Sequence, residues 1–178
     1  MHIKYGVLTI ALLTAIATIS PADEQAAEGK DTQSMTNLGR ELLFSGKQEL
    51  MQQGISELQQ AAKAHSAEAE RLLGEAYSKG LGVEKNLSLA FEHYIDAARQ
   101  LDPIAQYEVA RAYSDGRGID ANAISAYMWA TLSQSRESPV KEQAIELRND
   151  IGKLLTPEQV KKAIMLSDQI QQLYLKRQ

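Results

Sequence analysis

The chain has 178 residues, enough for one folded domain, and its formal net charge at pH 7 is −4. This acidic balance argues against nucleic acid as a partner, since phosphate binding needs a basic stripe, and against tight binding to anionic lipid. The sequence contains no cysteine, which excludes disulfides, a lipid anchor on cysteine and a Cys-ligated zinc site.

The N-terminus has the pattern of a secretory signal peptide. Lys4 belongs to a short basic start, residues 6–19 are apolar apart from threonines, and small residues lead up to Ala22. The apolar stretch is short for a membrane span, so we predict a signal peptide over residues 1–22. An uncleaved N-terminal anchor is the alternative. We expect an exported protein that is periplasmic, or alternatively secreted, with a mature form that is not membrane-embedded.

The segment that follows is polar. Residues 23–36 lack a clear helical apolar stripe, and we predict a flexible leader there. From about Leu38 onward apolar residues recur at spacings of three and four, and no alternating strand pattern is present. The predicted fold class is all-α.

A repeat of 36 residues organises the middle of the chain. The positions that recur at this offset are Tyr77 and Tyr113, Gly80 and Gly116, Gly82 and Gly118, Asn86 and Asn122, and Ala90 and Ala126. These positions define repeats over residues 67–102 and 103–138. A degenerate copy over residues 37–66 keeps the offset only in its second half.

Each copy is predicted to form a pair of antiparallel helices. Gly80 lies where the first helix must end, because glycine tolerates the left-handed backbone of such an end. Asn86 and Asn122 are predicted N-caps of the second helices, and Asp102-Pro103 begins the next pair.

The C-terminal segment departs from the repeat. Pro139 precedes a predicted helix over residues 140–155, and Thr156-Pro157-Glu158-Gln159 combines an N-cap, a first-turn proline and a capping-box partner. We therefore predict a C-terminal capping helix pair over residues 139–178, which covers the apolar end of the stack. The whole chain then has about eight helices in four pairs.

These motifs resemble a known family. Leu73-Gly74-x-x-Tyr77-x-x-Gly80-x-Gly82-Val83, followed by Asn86, Ala90 and the Ala97-Ala98 pair, is similar to the Sel1-like repeat, a relative of the tetratricopeptide repeat. The third copy differs, with Ala110 in place of the first glycine. The resemblance implies a right-handed α-solenoid, a tetratricopeptide-like superhelix that acts as a scaffold or adaptor, often in exported bacterial proteins.

Catalytic motifs are missing. There is no H-E-x-x-H, no G-x-S-x-G and no phosphate-binding glycine loop, since Gly80-x-Gly82 follows a helix rather than a strand. His93 aligns with Trp129 of the next copy and is interpreted as a packing residue, whereas His65 lies in a turn and is expected to be solvated. We predict no enzymatic activity, no metal site and no cofactor.

One set of exposed positions is a candidate contact strip. Tyr107 aligns with Arg71, so the repeat does not dictate its identity, and first helices line the concave surface of helix-pair solenoids. We predict a mixed-charge strip formed by Arg71, Glu75, Tyr107 and Arg111. The alternative is that these are ordinary solvated helix faces.

Three functions remain open from the sequence. The first is an exported adaptor or regulator that binds a protein or peptide on its concave face. The second is an envelope-polymer binding protein or hydrolase that acts on peptidoglycan or a small ligand. The third is a structural or self-associating module, since solenoid ends can stack. The sequence indicates neither the partner nor the oligomeric state.

Overall fold

The computed structural model describes residues 21–175 of the chain, with side chains from residue 31 to residue 174. The signal peptide predicted over residues 1–22 lies outside the described residues except for its last two positions.

The described residues form eight helices and no strand. In chain order these are α1 (Pro21–Leu43), α2 (Gln48–Lys63), α3 (Ala67–Lys79), α4 (Leu87–Arg99), α5 (Pro103–Asp115), α6 (Ala123–Gln134), α7 (Lys141–Gly152) and α8 (Pro157–Leu175). None of the described helices is both long and apolar enough to cross a membrane.

Helix pairs stack one upon another along the chain. The pairs α1/α2, α3/α4 and α5/α6 each pack side by side, and successive pairs meet where α2 lies against α3 and α4 against α5. This arrangement confirms the predicted all-α solenoid. Repeat 67–102 corresponds to α3 and α4, and repeat 103–138 contains α5 and α6.

The N-terminal leader differs from its sequence-based prediction. Residues 23–36, predicted as a flexible leader, are helical within α1. Thr36, at the end of this segment, is only 1% exposed, and its Oγ1 lies 3.0 Å from Oγ of Ser66. The segment contains several Ala, Glu and Gln residues, which favour a helix even without an apolar stripe. The helix therefore extends from the packed residue Thr36 toward the N-terminus.

The last two helices do not form a simple pair. The backbones of α7 and α8 each approach α6 closely, and they approach each other at far fewer points. The capping box that begins α8 is as predicted, because the Thr156 N–H donates to Gln159 Oε1 (2.8 Å) and the Gln159 N–H donates to Thr156 Oγ1 (3.3 Å). Both helices thus cover α6, the last helix of the repeated part.

The glycine turns join one repeat to the next. Gly80 and Gly116 end α3 and α5 in the left-handed conformation, as predicted, with φ of 76° and 70°. The second glycine of each turn touches the preceding pair: a Cβ on Gly118 would lie 2.1 Å from the carbonyl oxygen of Leu87. Only a residue without a side chain allows this approach of main chain to main chain.

The predicted caps and packing residues are confirmed. The side chain of Asn86 accepts from the Ser88 and Leu89 N–H groups, and Asn122 caps α6 in the same way. His93 stacks on Tyr77 with ring centroids 5.4 Å apart. His65 lies exposed in the turn between α2 and α3.

Candidate partner-binding groove

A groove of about 440 Å³ lies where the α3/α4 pair meets the α5/α6 pair. Its walls come from α3 and α5, its floor comes largely from α4, and each of the two turns between helices contributes one residue, Lys85 or Arg117. It is therefore a product of repeat stacking, because neither pair alone contains it.

The floor of the groove is apolar and is built around a tyrosine. Tyr94 is 8% exposed, and a Cβ on Gly74 would lie 2.7 Å from its ring. In the next repeat the equivalent positions hold Ala110 and Ala130. The glycine at position 74 therefore makes room for a large ring that the following repeat lacks. Phe91 of α4 completes the aromatic part of the floor.

The hydroxyl of Tyr94 stays protonated at physiological pH. Burial is the main cause that raises its pKa to about 12, and the carboxylates of Glu108 and Glu75 raise it further. The Ser78 hydroxyl, 3.4 Å away, and the positive charge of Arg71 act in the opposite direction. Tyr94 thus offers the groove a neutral hydrogen-bonding group and no acid–base chemistry near neutral pH.

Two charged pairs on the walls each lie within a single helix. Lys79 donates to Glu75 Oε1 at 2.6 Å on α3, and Arg111 donates to Glu108 Oε1 at 3.2 Å on α5. Such pairs on one helix face are common and contribute only tenths of a kcal/mol. They leave each wall close to neutral.

Arg71 has a structural role that the sequence did not reveal. Its guanidinium donates to Asp102 Oδ2 at 3.2 Å and to Glu68 Oε1 at 3.1 Å, and its side chain is only 15% exposed. Glu68 also pairs with Arg40 of α1. This ion-pair chain connects α1, α3 and the N-cap of α5.

The structure brings together three of the four residues of the predicted strip. Arg71, Glu75 and Arg111 line the groove, whereas Tyr107 lies outside its lining. Tyr107 is still next to it, because the Arg111 guanidinium lies 5.6 Å from the centre of the Tyr107 ring. A role of these four residues in partner binding stays a prediction.

Sequence reasoning missed most of the groove lining, although the repeat contains a signal that identifies three of the missed residues. Tyr94, Glu108 and Arg117 line the groove, and each breaks the 36-residue pattern. Their equivalents in the other copy are Ala130, Leu72 and Leu81, respectively. All three differ between the two copies, as Tyr107 does.

The described residues contain no group of three or more His, Asp or Glu side chains placed to hold a metal ion. A second, more open hollow lies away from the groove and is lined in part by Glu70, Leu73 and His93. There His93 Nδ1 lies 2.7 Å from Glu70 Oε2, while the ring stacks on Tyr77. His93 is thus held by the Glu70 carboxylate and by the Tyr77 ring.

Comparison with known proteins agrees with this architecture. Residues 67–100 and 103–133 match the model of the Sel1 repeat. The chain carries two Sel1 repeats. They coincide with α3/α4 and α5/α6, the two helix pairs that enclose the groove.

Curated relatives share part of the sequence. The alginate biosynthesis protein AlgK of Azotobacter vinelandii is 32% identical over 85 residues, which is 48% of this chain and 18% of that protein. AlgK of Pseudomonas syringae pv. tomato is 29% identical over 99 residues, covering 56% of this chain and 20% of its own length. The chain therefore spans only about a fifth of the curated relatives that it matches.

Solved Sel1-repeat structures share the fold. The protective antigen c5321 of uropathogenic Escherichia coli, which displays an SLR fold, superposes with a TM-score of 0.75 at 27% identity, over 85% of this chain and 32% of that one. A Sel1 repeat protein from Oxalobacter formigenes gives a TM-score of 0.56 at 25% identity, over 70% of this chain and 97% of that one. The stacking of helix pairs is thus common to these proteins.

Proposed function

We propose that this Sel1-repeat protein is an exported adaptor or regulator that binds a protein or peptide in the groove between its two Sel1 repeats. The observation that carries the proposal is the groove itself, since residues that break the repeat pattern gather there. Tyr94, Glu108 and Arg117 all line it. A constant scaffold that presents variable side chains at repeat junctions is how helical repeat proteins recognise partners.

The chemical character of the groove supports binding rather than catalysis. An aromatic and aliphatic floor between charged walls is the pattern of a protein interface, with an apolar centre and a polar rim. Tyr94, the titratable group on the floor, remains neutral because burial raises its pKa to about 12. The histidine nearest in the chain, His93, is engaged with Glu70 and Tyr77 elsewhere.

Export is supported by the N-terminal sequence alone. The basic start, the short apolar stretch over residues 6–19 and the small residues up to Ala22 have the order of a secretory signal. In a Gram-negative cell this order leads to the periplasm. Fractionation of cells that express the full chain with a C-terminal tag tests this part of the proposal, and a cytoplasmic, unprocessed product would contradict it.

Site-directed photo-cross-linking in the cell tests the proposed binding site. A photoreactive amino acid at position 111 lies in the groove, and the same amino acid at position 92 lies on an exposed part of α4 outside the lining. We expect one discrete adduct, identified by mass spectrometry, at position 111 and none at position 92. Equal adducts at both positions, or none at either, would contradict binding in the groove.

A second function is favoured by the curated relatives. Both matched proteins are named for alginate biosynthesis, so this chain is a candidate for binding an envelope polymer. Calorimetric titration of the purified protein with alginate oligosaccharides and with muropeptides tests this alternative, and analysis of the products tests hydrolysis. Absence of both binding and turnover would end it.

A further inference from the structure

The glycine turn after α5 places a cation where the preceding repeat has an apolar residue. Arg117 lies between Gly116 and Gly118, and its equivalent in the first turn is Leu81. Leu81 packs against the core formed by α1, α2 and α3, whereas Arg117 lines the groove. Because Gly118 is in contact with the main chain of α4, this turn is fixed beside the groove.

Arg117 is partly exposed, and its one ion pair among the described residues is with the neighbouring Asp115. Its Nε and Nη2 are buried, and neither donates a hydrogen bond within the described residues. The Nη2 atom lies 2.9 Å from Asp115 Oδ2, an ion pair without hydrogen-bond alignment. Since 37% of the Arg117 side chain and 52% of the Asp115 side chain are exposed, a partner carboxylate can reach the guanidinium from solvent and compete with Asp115.

A second cation lies in the lining of the groove. Lys85, in the turn between α3 and α4, lines the groove, is exposed and forms no ion pair with any described residue. The remaining charges of the walls are balanced, since Glu75 pairs with Lys79 and Glu108 pairs with Arg111. Arg71 is held by Asp102 and Glu68 outside the lining, whereas in the described part of the chain Arg117 has only the exposed Asp115, so we define Lys85 and Arg117 as the cationic end of the groove.

An apolar surface adjoins the cationic end. Leu87, the first residue of α4, lines the groove and is 36% exposed, which is high for a leucine beside a concave surface. Phe91 follows one turn later on the same helix, and Ile104 of α5 lines the groove with it. An apolar side chain of a partner that binds on this floor would be removed from water, together with the exposed apolar surface of the floor itself.

We infer that the groove selects an acidic peptide segment in which an Asp or Glu lies close to a large apolar side chain. The apolar side chain covers the floor at Leu87 and Phe91, and the carboxylate pairs with Arg117 and Lys85. A carboxylate fits a guanidinium through two parallel hydrogen bonds, which gives direction as well as affinity. This inference rests on the proposed function and specifies the chemistry of its partner.

Selection from a random peptide library on the immobilised full chain tests the inference. We expect the selected peptides to be enriched in Asp or Glu near Leu, Ile or Phe. A labelled peptide from this set should bind in fluorescence anisotropy and should weaken as salt is added. Arg117→Leu, which installs the residue of the preceding turn and so should fold, is expected to weaken binding about tenfold or more.

Matched controls separate the inference from the proposed function. Arg99→Leu removes an exposed arginine of α4 that lies outside the groove and should leave binding unchanged. Ile104→Ala removes most of an apolar side chain of the α5 wall and should weaken binding. Peptides that lack acidic residues, depend on Ile104 and bind R117L as well as wild type would overturn the inference and leave the proposed function standing. Selection that yields no peptide sensitive to Ile104→Ala would overturn both.

Discussion

Gly118 lies against the carbonyl oxygen of Leu87, so close that a Cβ at Gly118 would be 2.1 Å from it. Gly116, two residues earlier, has a similar positive φ of 70°, but its nearest neighbour would be 3.6 Å from an added Cβ. The two glycines therefore serve different purposes: one ends a helix, and the other joins two repeats.

This difference predicts unequal effects of alanine at the two positions. Gly116→Ala should lower the free energy of unfolding by about 1–2 kcal/mol, because alanine is strained in the left-handed backbone conformation. Gly118→Ala should lower it by about 1–3 kcal/mol more, because the main chains must also separate. Urea denaturation of both variants measures the difference, and equal losses would show that the contact with Leu87 does not matter.

A double-mutant cycle tests the contact between Gly74 and Tyr94. Gly74→Ala alone should destabilise by about 1–3 kcal/mol, because the new methyl group meets the tyrosine ring 2.7 Å away. In a Tyr94→Ala background the same change should be neutral or should stabilise by up to about 1 kcal/mol, since alanine is the better helix former. The next repeat already has alanine at both equivalent positions, Ala110 and Ala130, as the double variant would have. Additive effects in the cycle would count against direct contact.

The turns that begin α3 and α5 contain strained residues whose substitution should have opposite effects. His65 and Leu101 have positive φ of 61° and 68°. Substitution by glycine should remove about 1–2 kcal/mol of backbone strain from the folded state. It should also lower the free energy of unfolding by about 0.5–1 kcal/mol, because glycine gives the unfolded chain more conformational freedom. We expect exposed His65→Gly to raise the melting temperature slightly. Leu101→Gly should lower it, because that side chain is 5% exposed and its packing is lost. Calorimetry that shows the same sign for both would contradict this interpretation.

Tyr94 should make stability fall at alkaline pH. Its pKa is raised to about 12 in the folded protein, above the ordinary value of 10.0, because burial favours the neutral phenol. The folded state therefore keeps a proton that the unfolded state releases, so this contribution is complete below pH 10 and is lost between about pH 10 and 12. Its size is on the order of 1–3 kcal/mol. Unfolding free energies of wild type and Tyr94→Phe across this range give the difference, and parallel curves would contradict it.

The predicted contact strip divides into a structural part and a part available to a partner. Arg71→Ala should lower the free energy of unfolding by about 1–3 kcal/mol, because Asp102 and Glu68 lose a largely buried partner. Tyr107→Ala combined with Arg111→Ala should leave stability within about 1 kcal/mol and should weaken peptide binding. Thermal melts and anisotropy on the same samples separate the two effects. Unchanged binding in the double variant would remove these two residues from the site.

The repeat made most of the fold predictable. Helix ends marked by Gly80, Asn86 and Asp102 were found because each residue type satisfies a specific backbone requirement. The helical state of residues 23–36 was missed, since a polar helix has no periodicity to detect. The packing of α8 on α6 depends on long-range contacts that no local signal records.

The groove was only partly predictable. Arg71 differs between the two repeats, which predicts a contact residue, yet its partners are Asp102 and Glu68 of its own chain. Arg117 differs between the repeats in the same way, but its glycine neighbours predict only a turn. A position that differs between repeats is not required by the common scaffold. The structure is needed to show whether its side chain stabilises the fold or is available to a partner.

The contact between Gly118 and Leu87 has a consequence for how recognition can change. The distance between neighbouring repeats, and with it the width of the groove, is set there by main chain rather than by side chains. Substitutions at positions 108 and 117 can therefore alter the chemistry of the walls while the dimensions of the groove stay constant. A protein built in this way can be given a new specificity one side chain at a time, with the curvature of the stack unchanged.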